Sequence, residues 1–413
     1  MNTIYNALLK AGKTEIEAIN DKIKLDIFNN VLIKNSIAQR VPIGVIFELT
    51  PVCNFACRMC YIRMSQSEFD HEGYRLLRFE DWKSYIDGLY ELGTYGITLT
   101  GGECTIHPDF CEIYKYIYSK GMVIAVMTNG SNITDEIFDM FLQYPPQGIY
   151  ITLYGSTADT YKELCSNEAG FERAYSAVRR LCKAKIPVTL QFTSTKYNQH
   201  ELRDVYEFSK QMHCELRYTD LMINLNKSTP EQIIKVKDEH DRFVEDSKYI
   251  WCDRRGISEA DVKNEPLTEV FPTTDNPVVK KGITCGAGRN SCCITWKGDM
   301  QACNVMDMYK VSLKSTSVAD AWRELVAWAD NVPRLVECQN CIHRLHCRQC
   351  IAQHYGDTGE FGKPSPRLCY KVTHPKEAAE FEKRYDEHIK KLQTDPEYAK
   401  QYSERLQKIF KKK

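Results

Sequence analysis

Strand-like and helix-like segments alternate between residues 44 and 222. The strand candidates are short apolar runs that end in glycine or small polar residues, and helical patterns separate them. We predict strands at 44–50, 95–100, 122–128, 149–154, 188–194 and 215–222, and helices at 79–92, 109–119, 134–143, 171–184 and 199–211. Such alternation is typical of βα units that build a parallel sheet. The sequence therefore predicts an α/β fold containing a partial (β/α)6 TIM-like barrel.

The segments around the barrel differ from it in composition. We expect five parts: an N-terminal helical segment at 1–42, the barrel at 43–223, a charged bridge at 224–280, a small cysteine-rich α+β domain at 281–372, and a charged helical tail at 373–413. Asp395-Pro396 is expected to break the helix of the tail. The cysteine-rich part cannot build much of a hydrophobic core. Metal ligation is therefore its expected cross-link.

Charge and hydropathy exclude several classes of partner. The chain has 55 Lys and Arg against 55 Asp and Glu, a formal net charge of zero. That balance gives no electrostatic reason to expect a nucleic acid or an anionic membrane as a partner. The sequence also lacks a run of about 18 apolar residues that could span a bilayer, and its first residues do not form a secretory signal. We therefore expect a cytoplasmic protein with no nucleic-acid or membrane partner.

Cysteine is unusually abundant, with 18 in the chain. A reducing cytosol favours metal or redox chemistry over disulfides for such a count. Cys53, Cys57 and Cys60 form a C-x3-C-x2-C triplet directly after the first predicted strand. Three thiolates leave one iron of a 4Fe–4S cluster free to bind a second molecule. Zinc, which normally takes a fourth nearby ligand, and chance spacing are the alternatives.

The triplet and the strand-end motifs that follow it resemble the radical S-adenosylmethionine (SAM) superfamily over about residues 44–222. This resemblance implies that the triplet holds a catalytic 4Fe–4S cluster whose open iron chelates SAM. The second predicted strand ends in a Thr-Gly-Gly-Glu motif, where glycines let the backbone approach a ligand closely. The SAM-contacting residues that the resemblance implies are Met59, Gly101, Gly102, Glu103, Asn129 and Thr152.

At three of these positions the sequence departs from the family or allows another structural role. Met59 stands where the family usually has an aromatic residue, immediately before the last cysteine of the triplet. For Asn129 and Thr152, a strand-end turn or a helix cap is as good an interpretation as a ligand contact. No side chain is identified as a catalytic acid or base.

A second group of cysteines lies in the cysteine-rich part. Its spacing is C-x12-G-x4-C followed by C-x2-C-x5-C-x2-C and a late cysteine, a pattern that indicates metal ligation, with zinc-ribbon pairing as the alternative. The pattern resembles the SPASM extension of radical SAM enzymes, which implies one or two auxiliary 4Fe–4S clusters. By this resemblance the first takes Cys285, Cys303 and Cys350, and the second takes Cys338, Cys341, Cys347 and Cys369.

The adjacent pair Cys292 and Cys293 falls between the first two of these ligands. Neighbouring residues on an extended segment point to opposite faces, so only one of the two can easily reach a shared cluster. We predict Cys292 as the fourth ligand of the first auxiliary cluster, with an open iron in that cluster as the alternative.

The resemblance implies an enzyme, an oxidoreductase that reductively cleaves SAM to a 5′-deoxyadenosyl radical, which abstracts hydrogen from a substrate. SPASM-bearing relatives largely modify peptides or proteins, by cross-linking or oxidation for example, so we expect a peptide or protein substrate. A small-molecule substrate, such as a cofactor or natural product, is the alternative. A flavodoxin or ferredoxin is the expected electron donor. Two non-enzymatic alternatives are an iron–sulfur electron carrier and a zinc-stabilised scaffold.

Overall fold

The predicted strand–helix alternation is present in the computed structural model, which describes residues 30–219, 240–254, 256, 258, 280–339, 341–343, 350–366 and 368–411. Six parallel strands form the body of the sheet, which confirms the predicted α/β class. They are β1 (Gly44–Glu48), β2 (Gly96–Thr100), β3 (Val123–Thr128), β4 (Gly148–Thr152), β5 (Val188–Thr193) and β6 (Glu215–Thr219). Each pairs in parallel with the next in chain order, so their carboxyl ends lie along one edge.

Helices connect these strands and begin at well-defined caps. Residues 30–39 are helical and precede β1. Thr134 and Thr157 each accept a hydrogen bond from a first-turn backbone amide and so start the helices that follow them. The helices of this region are α1 (Gln66–His71), α2 (Phe79–Glu91), α3 (Phe110–Ser119), α4 (Asp135–Gln143), α5 (Ala158–Cys165), α6 (Ala169–Lys183), α7 (Leu202–Gln211) and α8 (His240–Asp253).

The two faces of the parallel sheet differ in polarity. One face packs on the helices and is buried and apolar: Phe47 of β1, for example, contacts Trp82 of α2 with ring centroids 4.8 Å apart. The strand register places the alternate side chains on the opposite, inner face. That face is only partly covered, and its residues include Ile46, Thr98, Thr100, Met127, Tyr150, Thr152, Gln191 and Thr193. In a closed barrel, branched apolar side chains fill this space. Here the inner face is polar and partly exposed, so a ligand can reach it.

Three further strands extend the same sheet beyond β1. They are β7 (Ser291–Ile294), β8 (Asp299–Gln301) and β9 (Val311–Ser312), and the full strand order is β6-β5-β4-β3-β2-β1-β7-β8-β9. β7 runs parallel to β1, and the two later strands are antiparallel. The helix α9 (Val318–Asn331) follows, with the indole of Trp322 donating to the Arg40 carbonyl.

The observed division of the chain differs from the predicted domain boundary at residue 281. The first compact unit spans Met1–Leu267 and Lys281–Val332, and the second spans Thr268–Lys280 and Pro333–Lys413. Residues 281–332 belong with the barrel because β7 continues its sheet through backbone pairing with β1. A change in cysteine content therefore does not coincide with a change in packing.

The described part of the second unit is mostly helical. Its helices are α10 (Val336–Gln339), α11 (Ile351–Thr358), α12 (Tyr370–Thr373), α13 (Pro375–Thr394) and α14 (Pro396–Lys411). The predicted break at Asp395-Pro396 is the junction of the last two. Most of the predicted N-terminal helical segment and of the bridge lies outside the described residues. Within the described ranges, no helix combines the length and apolar character needed to cross a membrane.

Candidate active site

The three cysteines of the triplet lie on a loop, residues 49–63, that follows β1 and is here called the cysteine loop. Its first half is held against the end of β2 by backbone hydrogen bonds: Leu49 N–H donates to the Thr100 carbonyl at 2.9 Å and Glu103 N–H donates to the Val52 carbonyl at 3.0 Å. Its second half pairs with the end of α5, where Ala56 N–H donates to the Cys165 carbonyl at 2.8 Å. The loop is therefore fixed on both sides at the carboxyl edge of the sheet.

Gly101 and Gly102 have a structural role that the sequence did not reveal. Gly101 has a φ of 147°, a conformation that L side chains rarely adopt. A Cβ on Gly102 would overlap the Val52 carbonyl oxygen and lie 2.6 Å from the Pro51 carbonyl oxygen. The two glycines therefore allow the end of β2 to approach the backbone of the cysteine loop, whatever ligand they also contact.

We expect Gly102→Ala to displace the cysteine loop. The new methyl group meets backbone oxygens, which cannot rotate away, so roughly 1–3 kcal/mol of stability should be lost. Thermal denaturation measures that loss, and iron analysis after cluster reconstitution shows whether the triplet still forms its site. Gly44→Ala is the matched control, because no atom lies within 4 Å of its added Cβ and its φ, like that of Gly102, is outside the left-handed region. Equal losses in both variants would mean that the close approach to the Pro51 and Val52 oxygens does not set the cost.

Glu103 is buried and its carboxylate is already satisfied by protein groups. Its Oε1 accepts from the Thr105 hydroxyl and the Thr128 hydroxyl, each at 2.6 Å, and from Thr105 N–H at 3.2 Å. Its Oε2 accepts from Asn129 N–H at 2.7 Å. Burial raises the pKa of Glu103, and these four hydrogen bonds oppose that rise. The side chain therefore ties the end of β2 to the end of β3.

Asn129 continues this network to the triplet. Its Nδ2 donates to Asn54 Oδ1 at 2.9 Å and lies 3.8 Å from Cys53 Sγ, while its Oδ1 accepts from the backbone and hydroxyl of Ser131. Asn54 in turn donates to the Ser131 hydroxyl at 2.8 Å. The structure thus brings together three segments that are separate in sequence, which contain Cys53, Gly102-Glu103 and Asn129.

Met59 and Thr152 are placed at the same edge of the sheet. Met59 is half-buried on the cysteine loop, and Thr152 ends β4 on the inner face. The loop after β4 is fixed by the buried Glu201, which accepts from the Thr157 hydroxyl at 2.8 Å and the Thr160 hydroxyl at 2.6 Å. For Met59 and Thr152 the structure gives a position that is compatible with a ligand contact.

The chemistry of the triplet fits an iron–sulfur cluster. All three cysteines are free thiols. Burial raises the pKa of Cys53 to about 12, with smaller contributions from Glu103, Cys57 and Cys60, while a hydrogen bond from Phe55 N–H opposes the rise. The three thiols are therefore close enough to influence one another. In the described ranges no three His, Cys, Asp or Glu side chains converge enough to hold a single metal ion. A 4Fe–4S cluster needs less convergence, because each thiolate binds a different iron.

Cys57 has an additional neighbour that the sequence did not indicate. Its pKa is lowered by hydrogen bonds with the thiol of Cys165 and the hydroxyl of Tyr154, against an opposing effect of burial. Cys165 is fully buried at the end of α5. The contact is consistent with the backbone pairing of the cysteine loop with α5.

The register of β7 places Cys292 and Cys293 on opposite faces of the sheet. Cys292 pairs with Val45 and therefore shares the face that packs on helices, whereas Cys293 pairs with Ile46 and shares the inner face. Burial alone raises the pKa of Cys292, whereas Cys293 is also affected by Glu48 and Cys303. Cys293, and not the predicted Cys292, is therefore directed towards another predicted ligand of the first auxiliary cluster.

The remaining predicted auxiliary ligands are divided between the two units. In the first unit, Cys285 is exposed and the Cys303 thiol donates to Asn304 Oδ1 at 3.2 Å. In the second, Cys350 and Cys369 precede helices α11 and α12 as their N-cap residues. Cys338 and Cys341 lie at the end of α10, where Cys341 N–H donates to the Cys338 carbonyl at 3.4 Å. Cys347 lies outside the described residues.

Glu48 was missed by the sequence analysis. It is the last residue of β1 and only 4% exposed, and because Phe47 faces the helices, Glu48 faces the inner side. Burial raises the pKa of Glu48 from 4.5 to about 7, and the positive charge of Lys310 opposes that rise. The sequence feature that could have pointed to Glu48 is a carboxylate at the end of an otherwise apolar strand, Gly-Val-Ile-Phe-Glu.

Glu48 should make stability depend on pH. Its folded-state pKa of about 7 lies above its ordinary value of 4.5, so its contribution is full below the ordinary value and is lost as the pH rises through 7. The expected loss is about 3 kcal/mol at most. The loss is measured by comparing the denaturation midpoints of the wild type and of Glu48→Gln at several pH values between 4.5 and about 7. The variant should lack this part of the pH dependence, and parallel profiles would contradict the assignment.

Comparisons with known proteins identify a family domain that includes these residues. Residues 47–209 match the family model of the radical SAM superfamily. AdoMet-dependent heme synthase of Methanosarcina barkeri (strain Fusaro / DSM 804) is 22% identical over 79% of this chain and 96% of its own length. The sporulation killing factor maturation protein SkfB of Bacillus subtilis (strain 168) is 24% identical over 58% of each protein.

Solved structures show the same fold. Streptococcus suis SuiB bound to its precursor peptide SuiA superposes with a TM-score of 0.58 at 13% identity, covering 84% of this chain and 79% of SuiB. The family-model match begins within β1 and ends within α7, so it contains the cysteine loop and the strand ends that surround it. Residues 47–209 therefore form a radical SAM domain, and the protein is an enzyme of the radical SAM kind.

Proposed function

We propose that this enzyme modifies a peptide or protein substrate by abstracting a hydrogen atom from it. The observation that carries the proposal is the partly exposed, polar inner face of the sheet, which lies next to the cysteine loop. A substrate segment can enter that space while its backbone donors and acceptors meet hydroxyl and amide groups such as those of Thr98, Thr100 and Gln191.

The residues that would hold the cofactors are those at the carboxyl edge. Cys53, Cys57 and Cys60 would hold the catalytic 4Fe–4S cluster, and Gly102, with its neighbours at the end of β2, would contact SAM. When bound, the cluster supplies the electron that cleaves SAM to the hydrogen-abstracting radical. The network through Glu103 and Asn129 keeps the ends of β2 and β3 in fixed positions relative to the cysteine loop. The protein's contribution is therefore orientation of the reactants and exclusion of competing hydrogen donors.

The relatives support two substrate classes. SkfB is named for maturation of a killing factor, which favours a peptide. The heme synthase match covers more of both chains, and this favours a porphyrin as the second candidate. The two differ in what the inner face must accept: an extended chain with many hydrogen-bonding groups, or a rigid, flat ring.

One experiment separates these classes. The cluster-loaded enzyme is incubated without oxygen with SAM, dithionite, and either an iron porphyrin or the short peptides encoded beside its gene. We expect a mass change in one peptide and formation of 5′-deoxyadenosine that depends on that peptide. A mass change in the porphyrin alone would overturn the peptide proposal in favour of the second candidate. Flavodoxin and ferredoxin, the proposed natural electron donors, can then be compared with dithionite.

The auxiliary clusters are also proposed, with the ligand sets given by the sequence resemblance and with Cys293 replacing Cys292 in the first. If Cys293 is a ligand, Cys293→Ala should lower bound iron and sulfide, because a cluster with fewer thiolates is held less firmly. Cys292→Ala should leave both contents unchanged, which makes it the matched control. Iron loss from the Cys292 variant alone would restore the original prediction, and no loss from either would indicate that neither cysteine is a ligand.

A further inference from the structure

The inner face of the parallel sheet carries few charged side chains. On β1 to β6 they are Glu48, Glu215 and Arg217. Glu215 and Arg217 pair with each other at 3.2 Å near the amino end of β6. Glu48 lies at the opposite, carboxyl edge, and in the described part of the chain its carboxylate accepts no hydrogen bond and forms no salt bridge.

The groups around Glu48 do not neutralise it. Its negative charge raises the pKa of Tyr61 on the cysteine loop and of Cys293 on β7, so both side chains lie close to it. Tyr61 is occupied elsewhere, since its oxygen accepts from Asn304 Nδ2 at 2.7 Å. Lys310 attracts Glu48 electrostatically, but its side chain is exposed and does not contact the carboxylate as an ion pair.

Buried charges in native proteins are paired, because an isolated carboxylate loses its hydration without compensation. A buried, unpaired carboxylate at the ligand-facing edge of a sheet is therefore a binding group whose partner arrives with the ligand. A neutral donor would compensate only part of the lost hydration. A cation would compensate more, because the Cys293 thiol and the Tyr61 phenol beside Glu48 carry no positive charge. The positive charge that does act on Glu48, that of Lys310, is on an exposed side chain and is screened by solvent.

We propose that Glu48 contacts the substrate and binds a cationic group on it, a primary ammonium or a guanidinium. This inference takes one point from the proposed function, namely that the substrate lies against the inner face. If the substrate is a peptide, we expect Glu48 to bind a lysine or arginine side chain of it. If the substrate is a small molecule, we expect that molecule to carry an amine.

Binding measured without turnover tests the proposal. The enzyme is loaded with clusters and SAM but not reduced, and ligand-observed NMR gives the Kd of acetyl-Ala-Lys-Ala-amide, of its norleucine and glutamate analogues, and of n-butylammonium. The wild type should bind the lysine peptide roughly tenfold more tightly than the norleucine peptide, since a hydrogen bond to a charged group is worth about 1.5–3 kcal/mol. Glu48→Gln should remove that preference, and Glu48→Lys should favour the glutamate peptide.

Glu215→Gln is the matched control, because it makes the same carboxylate-to-amide change on the same face at the opposite edge. It should keep the preference for the lysine peptide. The proposal is overturned if Glu48→Gln keeps that preference, if the wild type shows none, or if Glu48→Gln weakens SAM binding equally, because the carboxylate would then contact SAM. If n-butylammonium binds through Glu48 and no peptide binds, Glu48 keeps its role and the peptide proposal fails.

Discussion

Replacing Cys60 by alanine should abolish formation of 5′-deoxyadenosine and remove the iron of one cluster. Cys60 is held in a turn with Cys57, through a backbone hydrogen bond of 3.1 Å to the Cys57 carbonyl, and its thiol is on the same loop as the other two. The two remaining thiolates each bind an iron of their own, so neither can replace the lost ligand. Iron and sulfide analysis, together with chromatography of the SAM cleavage products, measures both effects.

Cys111→Ala is the control for this change. Cys111 is half-buried on α3, away from the triplet in sequence, and is not a predicted ligand. It should keep the full iron content and the full rate of SAM cleavage. If Cys60→Ala retained both, the assignment of the triplet as the catalytic cluster site would be wrong.

Replacing Glu103 by alanine should cost roughly 3 kcal/mol or more of stability, since each buried donor left without an acceptor costs about 1–3 kcal/mol. The donors are the hydroxyls of Thr105 and Thr128 and the backbone N–H of Asn129, all buried at the ends of β2 and β3. We also expect SAM to bind at least tenfold more weakly, because these strand ends form its proposed site. Thermal denaturation and calorimetric titration with SAM measure the two effects.

The two measurements together distinguish two roles for Glu103. If stability falls along with SAM affinity, the carboxylate acts by positioning the strand ends. If stability is unchanged while SAM affinity is lost, the carboxylate contacts SAM directly and the internal hydrogen bonds matter little. Glu103→Gln should fall between the wild type and alanine, because its amide oxygen still accepts from the hydroxyls while its NH2 group faces Asn129 N–H.

Much of the barrel could be predicted because its signals are local. Each strand is a short apolar run closed by a turn residue, and each helix has an apolar face, so the predicted and observed bounds agree closely for β1 to β6. The C-x3-C-x2-C spacing is also local, and the family-model match covers it. Pro396 ended a helix where expected, because proline cannot continue the hydrogen-bonding pattern.

The choice between Cys292 and Cys293 could not be made from sequence. Alternation along a strand shows that the two side chains lie on opposite faces of the sheet. Only the pairing with a neighbouring strand shows which of them lies on the inner face and which packs on the helices. Here β7 adds to β1 across a long sequence separation, and the register sets Cys293 beside Ile46. The same pairing joins residues 281–332 to the barrel unit, where composition had suggested a boundary.

By itself, the sequence determined the α/β class, the positions of the six parallel strands and the resemblance to radical SAM enzymes, because all of these depend on short-range pattern and spacing. Only the tertiary structure decided what the long-range contacts do: that the glycines after β2 make room for the cysteine loop, that Glu103 is satisfied by protein donors, and that Glu48 is buried without a partner. The physical reason is that burial and hydrogen-bond partners belong to pairs of distant segments, and a single stretch of sequence contains only one member of each pair.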